Sequence, residues 1–199
     1  PHVDVKGSPP RFVIETPKSV KTKWSLKGGL VSTTTTTTTY EDYGLPKESD
    51  VTTVDSYGTY KKNTVKTYTN DVAQWRLGLL HEETVTAETV GKPSVTRKRQ
   101  ITKRDATTGL VLTKISDPGT SYAVTISYTR DLFGNVLTTT TSTSMGNPHP
   151  KIDTNAYDAN GRFIVETKNG LNQIVKNSYE SGFGNLVQTT DPNGIVFKH

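Results

Sequence analysis

Short apolar groups recur along the chain, each placed directly after a turn sequence that contains glycine. They are Val136-Leu137, Phe163-Ile164-Val165, Ile174-Val175, Leu186-Val187 and Ile195-Val196-Phe197. Because adjacent strand residues point to opposite faces of a sheet, each strand offers about one apolar contact per face. Threonine fills much of the rest, as in Thr138 to Thr141. The pattern predicts an all-β fold of short antiparallel strands in a sheet whose two faces are both only partly covered.

The turn sequences share an acidic residue, a short spacer and a glycine, and several begin with tyrosine. An aspartate side chain accepts hydrogen bonds from backbone N–H groups two residues on, and glycine adopts the positive φ that closes the turn. Tyrosine is a good strand residue whose ring packs while its hydroxyl stays in water. We predict a structural role for these turn residues: Tyr40, Asp42 and Gly44; Asp55 and Gly58; Asp105 and Gly109; Tyr128, Asp131 and Gly134; Tyr157, Asp158 and Gly161; Tyr179, Glu180 and Gly184; Asp191 and Gly194.

A second set of turns falls between these, and the spacing of all the turn glycines has a rhythm. Short gaps of 9–12 residues alternate with long gaps of 14–15 residues. One repeat is therefore predicted to contain two strands and two turns, within the period of about 20–50 residues that is typical of repeat arrays. The glycines in this series are Gly109, Gly119, Gly134, Gly146, Gly161, Gly170, Gly184 and Gly194.

The clearest copy of the motif is Tyr157-Asp158-Ala159-Asn160-Gly161-Arg162-Phe163. This Tyr-Asp-x-x-Gly signature resembles the YD repeats of Rhs proteins, of the shell-forming component of insecticidal toxin complexes, and of teneurins. The resemblance is clearest over residues 105–199 and extends back to Tyr40. The segment from Thr67 to Gly78 also resembles one found in long bacterial Rhs-like proteins.

This resemblance implies a fragment of a large bacterial protein that is secreted or displayed on the cell surface. The repeats of such a protein form a curved or spiral sheet that encloses or presents a C-terminal toxin domain. The implied partners are the flanking YD repeats and that toxin domain. Asp191-Pro192-Asn193-Gly194 is similar to a self-cleavage motif of the family, but the second conserved aspartates are missing, so we interpret it as an ordinary turn.

We predict two regions, an N-terminal segment over residues 1–39 and a YD-repeat sheet over residues 40–199. The run from Thr33 to Thr39 is typical either of an O-glycosylated linker or of a strand. The strand is favoured because a turn sequence follows at once from Tyr40. One helical turn is predicted over residues 72–75, capped by Asn70 and Asp71.

Composition excludes several classes of protein. Hydrophobic residues make up 31% of the 199 residues, too little for a thick core, yet the net charge of +5 is too small for a disordered chain. There is no cysteine, and no apolar run approaches the roughly 18 residues needed for a membrane span. The basic stretch from Arg97 to Arg104 has no aromatic residue for base stacking, and on a strand its charges divide between two faces, so we predict no nucleic-acid binding.

No catalytic or cofactor-binding constellation is present. Asp131, Asp158 and Glu180 occupy the same place in successive repeats, so one structural role explains all three. The four histidines, His2, His81, His149 and His199, lack metal-ligand spacing, and no segment completes a calcium loop. We therefore predict a non-enzymatic structural segment without metal or cofactor. The alternative is a cell-surface module that binds carbohydrate or protein through its nine tyrosines and two tryptophans. Exposed sheet edges would favour dimerisation through edge strands.

Overall fold

The computed structural model describes residues 2–5, 11–145 and 149–199, and strands dominate them. The strands are β1 His2–Val5, β2 Arg11–Ile14, β3 Lys18–Trp24, β4 Leu30–Glu41, β5 Leu45–Asp55, β6 Gly58–Asp71, β7 Arg76–Thr89, β8 Val95–Arg104, β9 Val111–Ser116, β10 Val124–Arg130, β11 Val136–Thr143, β12 Lys151–Tyr157, β13 Ile164–Lys168, β14 Ile174–Tyr179, β15 Leu186–Thr190 and β16 Val196–Lys198. A three-residue turn, Asp42–Gly44, joins β4 to β5. Within these ranges no helix is long or apolar enough to cross a membrane.

The strand order confirms the predicted all-β antiparallel fold. Strands β1 and β2 pair with each other, and β3 to β16 form a sheet in which neighbouring strands are consecutive in the sequence. The chain divides into two compact units, Pro1–Ile101 (unit 1) and Thr102–His199 (unit 2), with the division inside β8. The predicted boundary between residues 39 and 40 falls within β4 and stays a prediction.

Very little of either unit is buried. Among the described residues, Ile101 of unit 1 and Gly109 and Asp117 of unit 2 are the ones classed as buried. Strand pairing and cross-strand side-chain contacts therefore take the place of a core. Hydroxyl pairs are one such contact, with Oγ1 atoms 3.0 Å apart in Thr34 and Thr53 of unit 1 and 2.6 Å apart in Thr129 and Thr138 of unit 2.

The threonine run forms a strand, as predicted. Thr33 to Thr39 lie in β4, which pairs with β3 on one side and β5 on the other. Residues of a strand alternate between faces, so this run lays threonine methyl and hydroxyl groups on both faces of the sheet.

The helical turn predicted over residues 72–75 is wrong. These residues form a tight turn between β6 and β7, in which the Trp75 N–H donates to the Val72 carbonyl at 3.1 Å. The Asp71 carboxylate accepts from the Gln74 N–H at 3.1 Å. Four residues are too few to offset the cost of nucleating a helix.

The predicted turn glycine Gly146 lies outside the described residues.

Candidate functional site: the tyrosine edge

Successive strands run in opposite directions, so alternate turns gather at the same ends of the strands. In unit 2, the turns after β8, β10, β12 and β14 lie at one end, which we call the tyrosine edge of unit 2. It holds the predicted acidic residues and glycines Asp105, Asp131, Asp158, Glu180, Gly109, Gly134, Gly161 and Gly184. The turns at Gly119, Gly170 and Gly194 lie at the opposite end, which gives two strands and two turns per repeat.

The turn after β10 shows how an acidic residue and a glycine close a hairpin. Oδ1 of Asp131 accepts hydrogen bonds from the N–H groups of Phe133 and Asn135, both at 2.9 Å. The Gly134 N–H donates to the Asp131 carbonyl at 3.1 Å, and Gly134 has a φ of 87°. This left-handed residue is the one that a type I turn with a bulge requires.

The next two acidic residues bind their turns in the same way. Oδ1 of Asp158 accepts from the N–H groups of Phe163 at 3.0 Å and Arg162 at 2.5 Å. The hydrogen bond from Phe163 has the largest effect in lowering the pKa of Asp158, and that from Arg162 lowers it further. The Glu180 carboxylate accepts from the N–H groups of Phe183 and Gly182. Both hydrogen bonds lower the pKa of Glu180, and that from Phe183 has the larger effect. Both side chains therefore serve as ionised acceptors inside their own turns.

Three other predicted acidic residues also accept from the backbone of their own turns. Asp105 binds the N–H groups of Thr107 at 3.0 Å and Thr108 at 2.7 Å. Asp191 binds those of Asn193 at 2.9 Å and Ile195 at 2.8 Å, and Asp55 those of Tyr57 at 2.8 Å and Gly58 at 3.0 Å. Asp191 and Asp55 lie at strand ends opposite the tyrosine edge of their units.

Three glycines of the tyrosine edge have a second role, because each lies under an apolar side chain from the preceding turn. A Cβ atom on Gly134 would lie 2.9 Å from Cδ1 of Leu110. On Gly161 it would lie 2.4 Å from Cδ2 of Phe133, and on Gly184 it would lie 2.2 Å from Cζ of Phe163. The absence of a side chain at these three positions lets each turn pack on the next.

The tyrosines close the gap that opens between hairpins at this edge. The ladder between β11 and β12 begins at the pair Thr138 and Thr154, so the Val136 carbonyl lies beyond it. The Tyr157 hydroxyl donates to that carbonyl at 3.4 Å, and the Asn155 amide donates to it at 3.0 Å. These side chains supply the partners that the backbone lacks there.

The following repeat uses the same pair of donors. The Tyr179 hydroxyl and the Asn177 amide donate to the Ile164 carbonyl at 3.2 Å and 3.3 Å, and the Tyr179 ring stacks on Phe163 with centroids 4.8 Å apart. The asparagine role was missed in the sequence, although the spacing Asn-x-Tyr occurs in both repeats.

The turn around Tyr128 departs from this pattern. Here Arg130 takes the place of the hydroxyl donor, with Nη2 3.2 Å from the Val111 carbonyl and Nη1 2.6 Å from the Gly134 carbonyl. The guanidinium also lies 5.6 Å from the centre of the Tyr128 ring. A cation over the ring face adds attraction, so Tyr128 supports the arginine that makes the contact.

Unit 1 has its own tyrosine edge, at the turns after β4 and β6. The Tyr68 hydroxyl donates to the Pro46 carbonyl at 2.9 Å, and Oδ1 of Asn70 accepts from the Gly78 N–H at 2.7 Å. Leu45 lies over Gly78, where a Cβ atom would be 2.9 Å from Cδ2 of Leu45. The sequence reading missed Gly78 as a turn residue because eight positions separate it from Asn70.

The first turn of this edge is built differently from the others. Tyr43 and Gly44 have φ values of 67° and 68°, and two successive positive φ values are typical of a type I′ hairpin turn. The Tyr43 ring meets the Trp75 ring edge to face at 6.4 Å, while the hydroxyl of Tyr40 donates to the Thr16 carbonyl at 3.2 Å.

Removing one of the tyrosine hydroxyls should weaken the junction between hairpins. We expect Tyr179→Phe to lower the free energy of unfolding by about 1 kcal/mol, the usual loss for one hydrogen bond, while the ring stack on Phe163 remains. Urea denaturation measures this loss. Tyr122→Phe, at a side chain that is 70% exposed at the opposite end of unit 2, is the control and should change stability by less than about 0.5 kcal/mol. Equal losses in both variants would contradict this role.

No group of acidic or histidine side chains that could hold a metal occurs among residues 2–5, 11–145 and 149–199. The acidic residues of the tyrosine edge are each engaged by their own turn. The arrangement is therefore suited to holding hairpins in register.

Comparisons with known proteins do not identify the chain. No protein-family description matches it, and no curated protein matches it. Among solved structures it is similar to one titled "Crystal Structure of TcdB2-TccC3-TEV", with 15% sequence identity and a TM-score of 0.31. The match covers 98% of this chain and 14% of that chain, so this chain spans about one seventh of its length. At that TM-score the similarity supports no conclusion about function.

Proposed function

We propose that this chain is a non-catalytic structural segment of a YD-repeat protein, and that its hairpins build part of a β-shell that encloses or presents a C-terminal toxin. The observation that carries the proposal is the ladder of turns in unit 2. Each turn is closed by an acidic residue and packed on the next through a glycine, at Gly134, Gly161 and Gly184. In such a series each further hairpin extends the sheet by the same contact, which is how a wall of repeated hairpins is built.

The exposure of the strands supports the same function. Most strand residues of both units are half-buried, with almost no core. A wall that separates an inner aqueous space from the solvent has water on both faces, and hydroxyl-bearing side chains suit both. A globular domain of this length would instead bury about two thirds of its surface around one core.

Encapsulation is tested with a protease-sensitive passenger. The chain is expressed with its flanking repeats and with the passenger fused in the place of the C-terminal domain. We expect the passenger to survive protease at least about ten times longer than the free passenger, because a closed wall limits access. The control is the same fusion with Gly161 and Gly184 both replaced by alanine, which should open the wall. A passenger that is digested as fast as free protein would count against the proposal.

The alternative is a cell-surface module that binds carbohydrate or protein. Its support comes from a different feature, the distribution of charge on the sheet of unit 1.

A further inference from the structure

The two faces of the sheet in unit 1 carry different charge. Directly paired residues of antiparallel strands share a face, so the regular parts of the registers of β3 to β8, before the bulges after Lys23, Thr39 and Thr67, assign their side chains to one face or the other. The first face, which we call the lysine face, holds six cations and two carboxylates: Lys21, Lys23, Lys62, Lys66, Arg97, Arg99, Asp55 and Glu83. The alternate positions of the same strands form the other face, which holds three cations and four carboxylates: Lys18, Lys61, Lys98, Glu48, Asp50, Glu82 and Glu88.

The lysine face also contains a shallow depression of about 340 Å³ across β5, β6 and β7. It is lined by two hydroxyl-bearing residues, Ser49 and Thr64, and by three charged ones, Lys62, Lys66 and Glu83. Glu48 also lines it, but its side chain lies on the other face, where the carboxylate accepts from the Asn63 amide at 2.7 Å. The depression therefore combines two cations and one carboxylate with neutral hydrogen-bonding groups.

One carboxylate of this face, that of Glu83, already binds two of these cations. The Glu83 carboxylate lies 3.6 Å from Nζ of Lys66 and 3.0 Å from a guanidinium nitrogen of Arg99. Lys66 and Arg99 stand on β6 and β8, on either side of Glu83 on β7, so their charged ends meet at one carboxylate.

We propose that the lysine face of unit 1 binds a carboxylated polysaccharide at this depression. The acid groups of the sugar pair with Lys62, Lys66 and Arg99, and the sugar hydroxyls exchange hydrogen bonds with Ser49 and Thr64. This activity goes beyond a structural role in a wall and does not depend on it.

Two other polyanions fit the face less well. Single-stranded nucleic acid uses aromatic stacking platforms, and Tyr60 is the one exposed aromatic residue on the strands of this face, because Tyr40 and Tyr68 are half-buried. An acidic peptide offers carboxylates but no ring hydroxyls for the Ser49 and Thr64 side chains. The test below includes both.

Binding of polygalacturonate to the chain is measured by calorimetry at low ionic strength. We expect Lys62→Ser with Lys66→Ser to weaken binding about tenfold, at roughly two- to fivefold for each exposed charge pair. The matched control is Lys61→Ser, which removes the same charge from the neighbouring position on the other face, and it should change affinity less than about twofold. Glu83→Gln should instead strengthen binding, since it releases Lys66 and Arg99 from their internal partner.

Removal of a hydroxyl group from the lysine face distinguishes binding of polygalacturonate from binding of the other polyanions. Thr64→Val should weaken binding of polygalacturonate but leave binding of polyglutamate unchanged, with folding of each variant verified by its urea midpoint. Three results would each overturn the proposal: Lys61→Ser is as damaging as the double variant, Glu83→Gln does not strengthen binding, or polyglutamate or single-stranded DNA binds at least as tightly as polygalacturonate. Failure of these tests leaves the passenger experiment unaffected.

Discussion

Replacing Gly184 by alanine is expected to lower the free energy of unfolding of unit 2 by about 3 kcal/mol. The φ of Gly184 is +74°, and a left-handed residue with a side chain costs roughly 1–2 kcal/mol. The new Cβ atom would also lie 2.2 Å from Cζ of Phe163. That ring is stacked on Tyr179, so it cannot move away freely, and overpacking of this kind costs about 1–3 kcal/mol.

A second glycine separates the two causes. Gly194 has a φ of +82°, yet a Cβ atom there would have no heavy atom within 4 Å. Gly194→Ala should therefore cost only the conformational part, about 1–2 kcal/mol. Urea denaturation of both variants measures the difference, and adding Phe163→Ala to Gly184→Ala should remove the steric part. Equal losses at Gly184 and Gly194 would show that the ring does not press on the glycine.

Acid is expected to destabilise unit 2 through the carboxylates of its tyrosine edge. The pKa values of Asp158 and Glu180 are lowered by backbone hydrogen bonds in the folded chain. Partial burial acts to raise the pKa of Asp131, but the hydrogen bonds from Asn135, Phe133 and Gly134 together outweigh it, and the net shift is downward. Each group thus favours folding when it is ionised. Their stabilisation is complete above the unfolded pKa values of about 3.9 to 4.3 and is lost as the pH falls through the lowered values.

Thermal unfolding between pH 7 and pH 2 measures this effect. The melting temperature should change little down to about pH 5 and then fall steeply. At pH 7 the triple variant Asp131→Asn, Asp158→Asn and Glu180→Gln should have a lower melting temperature than the native protein. At low pH the two melting temperatures should become similar. The control is Glu166→Gln. The Glu166 carboxylate lies 3.7 Å from Nζ of Lys176 on the neighbouring strand, and the variant should keep the native profile. Parallel profiles for the native protein and the triple variant would exclude the turn carboxylates as the cause.

Local turn chemistry was predictable from the sequence because it depends on residues close together in the chain. An aspartate that binds N–H groups two to four residues on, as at Asp131, needs only its own segment. The strand character of Thr33 to Thr39 likewise follows from local propensity. Weak apolar doublets also predicted a sheet without a thick core, and burial confirms it.

Contacts between repeats were not predictable in the same way. Phe163 covers Gly184, and Asn155 meets the Val136 carbonyl, because of the register in which neighbouring hairpins pair. A bulge inside each hairpin, as between Ala156 and Tyr157, also changes which side chains share a face, and the sequence motif marks neither feature. The four-residue turn at Val72 was mistaken for a helix because a capping aspartate serves both structures.

The near absence of buried side chains in the part of the chain that the structure describes has an evolutionary consequence. In a globular domain, inserting or deleting two strands would leave a shared interior overfilled or hollow. Here each hairpin depends on its immediate neighbours through one ring, one glycine and a few backbone carbonyls, as at Phe163, Gly184 and Tyr179. Gene duplication or loss of one repeat therefore changes the size of the sheet while leaving the remaining junctions intact.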